Sequence, residues 1–263
     1  MGRTFLDREK NGRGFTLIEL LVVVAVIALL ITILLPSLGA ARERAKRSAC
    51  LSNLHQVHIA YYYYAQDSND QVPIGYRTVS SQFNSMIYSS TASSWALFGL
   101  FITNNYDKSP YIKTPKLLYC PSETNTKFML ATSDNPWPAP GTSPTANIQA
   151  GYCSRSTFPG KQIPDDLSNI PASMQPFTMP HLRDFSGNGV ANNAIFADLT
   201  AAANRIQSRH REGSQVLFAD GSAHWISLSK FVQPDASWPE TINPPVATFN
   251  STQDAIWQAF DKN

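Results

Sequence analysis

Hydrophobic and polar positions are spread very unevenly along this 263-residue chain. From Phe15 to Leu35 it reads FTLIELLVVVAVIALLITILL, an apolar run broken by one charge, Glu19. As a helix rising ~1.5 Å per residue it spans roughly 31 Å, about the hydrocarbon thickness of a bilayer. Its many Val and Ile residues are indifferent helix formers in water, but in lipid one segment satisfies its own backbone only as a helix. A soluble core helix rarely stays apolar for this length, and a cleaved secretory signal has a shorter apolar stretch without a carboxylate. The pattern predicts a membrane helix over 15–35.

Pro36 should kink or locally unwind the helix rather than end it. Beyond it Leu38, Ala41, Ala45, Ala49, Leu51, Leu54, His58, Tyr61 and Ala65 recur mostly at three- and four-residue steps, which predicts an amphipathic stalk helix over 36–66. Its first turns carry Arg42, Arg44, Lys46 and Arg47, placed to meet lipid headgroups. Near its end stand four consecutive tyrosines, Tyr61 to Tyr64, of which a helix can bury only some. Asp67-Ser68-Asn69-Asp70, with Pro73, closes the helix. The remainder, 67–263, reads as a globular head. Ser94 to Phe101 fits a short helix or a strand, the helix being favoured, and the prolines between about 134 and 181 predict an irregular insertion. Ala194–Asp198 and Val216–Gly221 read as short strands, and Asp220-Gly221 before Ser222-Ala223-His224-Trp225-Ile226 reads as a hairpin turn within about 194–228.

Charge sharpens this division. Lys+Arg number 21 and Asp+Glu 19, a formal net charge of +2, so no basic field suggests nucleic acid as a partner. Residues 1–14 hold Arg3, Arg8, Lys10 and Arg13 against Asp7 and Glu9. Basic residues flank both ends of the apolar run, so charge alone leaves its orientation open.

Arg13-Gly14-Phe15-Thr16-Leu17-Ile18-Glu19, followed by the apolar run, resembles the processing site of type IV pilins and type II secretion pseudopilins. The resemblance implies a leader, residues 1–14, cut between Gly14 and Phe15 on the cytoplasmic side by a prepilin peptidase that also N-methylates Phe15. It further implies that Glu19 meets the new amine of a neighbouring subunit during assembly; the plainer reading has Glu19 snorkelling to the interface. A pilin-like α+β fold follows, with a long N-terminal helix packed on a small antiparallel-sheet head. Localisation would be the bacterial inner membrane, single-pass, with a cytoplasmic N-terminus and an extracytoplasmic head. Partners would be the peptidase, other pilin-like subunits, a secretion or pilus assembly platform and membrane lipid. No enzymatic activity and no cofactor are expected.

Cys50-Leu51-Ser52-Asn53-Leu54-His55-Gln56, Tyr119-Cys120-Pro121 and the His210-x9-Asp220-Gly221 element resemble one pseudopilin-like subfamily. Two readings of the last element stay open. In one, His210 braces the turn by bonding Asp220; in the other, Asp198, His210, Asp220 and His224 form a metal site, which would make the chain a membrane-anchored extracytoplasmic binding module. Of the three cysteines, Cys120 and Cys153 both fall in the head, where a disulfide between them is expected.

Overall fold

The computed structural model describes residues 15–70, 72–73, 76–77, 82–91, 93–102, 106–155, 193–198, 209–210, 212–231 and 246–263. The chain separates into two compact units, residues 1–44 and 45–263. One helix, α1 (Leu17–Asp67), begins in the first unit and ends in the second, and it runs on through Pro36. Its start is capped by a reciprocal pair. Glu19 N donates to Thr16 Oγ1, while Thr16 N donates to Glu19 Oε2 at 2.9 Å. This is the Thr-x-x-Glu capping box, which occupies backbone donors that the first helical turn otherwise leaves unpaired. At the other end Asn69 (φ 54°) and Asp70 (φ 64°) adopt the left-handed conformation, and Asp70 N returns to Ala65 O at 2.7 Å. Asn and Asp tolerate that region because their short side chains bond locally.

In the second unit α1 buries Cys50, Leu54, Val57, Ala60, Tyr61 and Ala65, a stripe at three- and four-residue steps. Tyr61 is edge-on to both Phe101 and Phe196, and Tyr64, three residues on, is edge-on to Phe101 and Tyr111. Tyr62 and Tyr63 point away, 48% and 58% exposed. Helical geometry divides the tyrosine run in this way, since positions three apart share a face and adjacent ones do not.

The described strands all pair antiparallel. β1 (Tyr76–Arg77) pairs with β2 (Gln82–Phe83). β3 (Met86–Ser89) lies between β4 (Ser94–Trp95) and β5 (Ile148–Gln149). β6 (Tyr152–Ser154), β7 (Ala194–Asp198), β8 (Gly213–Phe218) and β9 (Ala223–Ser227) form a four-stranded sheet in sequence order. The helix expected over Ser94–Phe101 divides into strand β4 and a 3₁₀ turn, Leu97–Phe101. A second helix, α2 (Val246–Asp261), follows the sheet.

The sheet is covered on both faces. Ile195, Phe196 and Leu217 pack into the core that includes the α1 stripe, whereas Ala194, Ala197, Val216 and Phe218 pack with Ile256, Trp257 and Phe260 of α2. This explains why β7 and β8 read as continuous apolar runs and not as alternating ones. The adjacent Ile195 and Phe196 join the same core because the β7–β8 register shifts between Ala194 and Phe196. The α+β fold with a long N-terminal helix and an antiparallel-sheet head is the one the sequence predicts.

α2 is also fastened by charge. Arg155, just past β6, donates from Nη1 and Nη2 to Asp261 Oδ1 and Oδ2 at 2.8 and 2.9 Å, and Asp261 Oδ1 accepts from Ala194 N at 2.9 Å. The guanidinium is buried, so losing its partner leaves a desolvated cation. Asp261→Ala is expected to lower stability by about 3 kcal/mol, read by chemical denaturation of the full chain in detergent. A loss below about 1 kcal/mol, typical of an exposed pair, contradicts that role.

Candidate functional site

Two regions concentrate the chemistry. The first is the start of α1. Every large apolar side chain from Phe15 to Leu38 is exposed, the least so being Val23 at 47%. The helix is long and apolar enough to cross a membrane, with no part of its most apolar window buried within the chain. Glu19 lies in the first turn, bonded to Thr16 through both its backbone N and its hydroxyl. The pairing with Thr16 is what reading Glu19 for assembly alone overlooks; the Thr-x-x-Glu spacing signals it directly. Gly14 lies outside the described residues, and Phe15 is exposed at the start of them.

The second region is buried. Cys50 on α1, Cys120 after the 3₁₀ turn Pro115–Leu118, Asp198 at the end of β7 and His210 before β8 each bring one ligating atom within 4.8 Å of the others. Cys50 Sγ donates to Asp198 Oδ1 at 3.3 Å, Cys120 Sγ lies 3.3 Å from His210 Nε2, and His210 Nε2 is 3.5 Å from Asp198 Oδ2. Tyr152 Oη donates to Cys50 Sγ at 3.4 Å, and Gln215 N donates to Asp198 Oδ2 at 2.8 Å. The two thiols are driven apart in acidity. Burial holds Cys50 well above the ordinary 9.0, while the adjoining Cys50 thiol, followed by His210 and Arg209, brings Cys120 down to about 7 against its own burial.

Neighbouring groups hold these four residues in place. Asn53 Nδ2, one turn beyond Cys50, donates to Tyr119 O at 3.2 Å and fastens the loop that carries Cys120. Gly151 passes so close to that loop that a Cβ there would meet Cys120 N at 2.8 Å. Arg209, beside His210, forms a buried ion pair with Glu123 and donates to Gly151 O. Arg47, one turn before Cys50, donates to His210 O at 3.0 Å and Glu212 Oε2 at 2.9 Å, with its guanidinium 4.0 Å above the Trp225 ring. The His210 ring stands edge-on to the same indole. Arg47 therefore turns toward the head instead of lipid headgroups, because it sits three residues before Cys50 on the buried face of the helix.

The residues singled out near the C-terminal hairpin separate. Asp198 and His210 come together, joined by Cys50 and Cys120, which the proposed His-and-Asp grouping omitted. Asp220 and His224 are exposed. Asp220 Oδ1 accepts from Ser222 N at 2.8 Å within the β8–β9 turn, and His224 packs on Phe218. The turn also docks on α1. His58 Nε2 lies 3.1 Å from Ala219 O, so the nitrogen must carry the proton, since a carbonyl only accepts. Gly221 has φ +86°, and a Cβ there would lie 2.8 Å from the His58 ring, so both conformation and space demand glycine. The expected Cys120–Cys153 disulfide is absent. All three cysteines are buried thiols, and Cys153 Sγ donates to Asp198 O at 3.2 Å. Cys120 is instead held in the cluster with Cys50 and His210.

Residues 10–35 match the prokaryotic N-terminal methylation motif. The chain is also 33% identical over 95 residues to the type IV wide pilus major component PilA4 of Thermus thermophilus, which covers 34% of this chain and 72% of that one. No solved structure matches significantly.

His58 makes the docking of the turn on α1 pH-sensitive. Burial chiefly, opposed by the Ala219 bond and Asp220, lowers its pKa from 6.5 in the folded chain. As pH falls below 6.5 the unfolded chain takes up a proton that the folded chain resists, so stability drops and then levels below the folded pKa. Thermal melts at about pH 7.5 and about pH 5 should differ more for the parent chain than for His58→Gln, which keeps a donor for Ala219 O without the titration. Equal differences contradict this assignment.

Proposed function

The chain belongs to the type IV pilin-like family, and from that premise we propose a non-catalytic filament subunit, processed between Gly14 and Phe15 by prepilin peptidase and N-methylated at Phe15. The apolar part of α1 then anchors it in the inner membrane, with the N-terminus cytoplasmic and the head outside. From there it joins other pilin-like subunits on an assembly platform, in a type II secretion pseudopilus or a type IV pilus-like filament. PilA4, by its description, is the major component of a type IV wide pilus.

The observation that carries this reading is the exposure of the helix over Phe15–Leu38 on all sides. An amphipathic surface helix hides one apolar stripe, whereas this segment needs an apolar environment around its whole circumference. Lipid supplies that before assembly, and the packed helices of neighbouring subunits supply it afterwards. A carboxylate at such depth costs ~2.5–3.5 kcal/mol on insertion scales, reduced by polar partners. Thr16 already donates to Glu19 within the chain. Cleavage creates the Phe15 amine on each subunit, a cation that Glu19 of the next subunit can pair with. The mechanism is mechanical: apolar packing holds subunits together, and the Glu19–amine pair sets their register. The four residues of the cysteine–histidine–aspartate cluster are buried, which suits a structural part of the head better than a surface that captures ligand from solution.

Expressed with a prepilin peptidase, the mature chain should begin at N-methylated Phe15 by mass spectrometry. An intact Met1 start, or a start near Ala41, overturns the proposal. Gly14→Val should abolish processing, because a side chain there blocks the close approach of the peptidase to the backbone. Glu19→Ala should still be cleaved but assemble poorly; a normal filament yield removes Glu19 from the assembly step.

A further inference from the structure

We propose that Cys50, Cys120, Asp198 and His210 form a tetrahedral binding site for a structural Zn²⁺ ion inside the head. The donor set is two sulfurs, one imidazole nitrogen and one carboxylate oxygen, all ligand types that zinc accepts in four-coordinate sites. Calcium and magnesium require oxygen ligands, so two cysteines exclude them. Zinc bonds of about 2.3 Å to sulfur and about 2.0–2.2 Å to nitrogen and oxygen give a tetrahedron with edges of roughly 3.4–3.8 Å. Three separations lie close to those edges: 3.3 Å from Cys50 Sγ to Asp198 Oδ1, 3.3 Å from Cys120 Sγ to His210 Nε2, and 3.5 Å from His210 Nε2 to the other carboxylate oxygen, Asp198 Oδ2; one ligating atom from each of the four residues lies within 4.8 Å of the rest. The four side chains are buried and come from four separate stretches of chain, the arrangement by which a structural metal holds distant segments together.

The surroundings suit ligation as well. Tyr152 Oη donates to Cys50 Sγ and Gln215 N donates to Asp198 Oδ2, so two of the ligands are oriented by donors outside the coordination sphere. The Tyr152 contact strengthens when Cys50 becomes a thiolate. Binding releases the two thiol protons to solvent, and four ligand–metal bonds form with no change in oxidation state. Two thiolates and one carboxylate exceed the ion's charge by one negative unit; Arg209, next to His210 in the chain, has its own charge matched by Glu123. The bound ion would connect α1 to the Cys120 loop, to β7 and to the turn entering β8. It would also shield Cys50 and Cys120 from oxidation in an extracytoplasmic compartment.

The test is the metal content of the full chain, purified in detergent with a phosphine reductant and no chelator and measured by mass spectrometry of the elements. One zinc per chain is expected. His210→Ala and Cys120→Ser should each lower zinc retention about tenfold or more, while His224→Ala, which alters an exposed histidine outside the cluster, should retain it. Replacing zinc by Co²⁺ should give the near-ultraviolet charge-transfer absorption of cobalt–thiolate bonds, a readout that needs no variant to fold. A parent chain with native near-ultraviolet circular dichroism but no stoichiometric zinc and no cobalt–thiolate band overturns the proposal. So does a Cys50–Cys120 disulfide in chain isolated without reductant.

Discussion

The packing of residues 50–65 of α1 against the sheet is the contact on which the rest of the head depends. Cys50, Leu54, Val57, Tyr61 and Ala65 form one stripe, and each is at most 1% exposed. Burying an aliphatic or aromatic side chain of this kind contributes about 1.5–3 kcal/mol. Even a few such residues are worth as much as the net stability of an ordinary domain. The same stripe places Cys50 in the cluster, and His58, one residue past Val57, meets the β8–β9 turn. Arg47, one turn earlier, ties the segment before β8 to the helix. Packing and polar contacts thus share one helical period.

The helix runs on through Pro36, which contributes no N–H to the ladder, and its two stretches differ in what they expose. Over Phe15–Leu38 large apolar side chains are exposed on every side, with few polar groups such as Glu19 between them, so the stretch calls for apolar surroundings all round. Past Arg44 one face is buried in the head and the opposite face carries exposed residues such as Ile59, Tyr62 and Tyr63. The proposed function gives the first stretch a part in anchoring and assembly. The second stretch is ordinary core packing, with the buried cysteine–histidine–aspartate cluster built into it.

Much of this was legible along the chain. The membrane helix, the strand at Ala194–Asp198, the existence of a strand near Val216–Gly221 (which runs as Gly213–Phe218) and the Asp220-Gly221 turn follow from local patterns. Each needs only neighbours within a turn or two to define it. The Thr16–Glu19 capping box was equally local and equally readable. The partners of His210 were not. Asp220, ten residues on and in the same hairpin, looked like its natural partner, but strand geometry carries it past the end of β8 and out to solvent. Cys120, 90 residues away in sequence, took that place. Cys120 and Cys153 share the head, yet Cys153 lies on β6 with its thiol directed at the Asp198 carbonyl, while Cys120 points toward α1.

The amino-acid sequence by itself determined the periodic and contiguous features: an apolar run of membrane length, a helical stripe beyond it, turn residues between strands, and a processing motif. These depend on backbone periodicity and local chemistry, which neighbouring residues specify. Only the tertiary structure decided which thiols, imidazole and carboxylate meet. Their proximity comes from an antiparallel sheet sandwiched between two helices, a register shift in β7, and a glycine that lets the Cys120 loop approach. Distances across a core depend on how whole elements pack, and no spacing in the sequence encodes them.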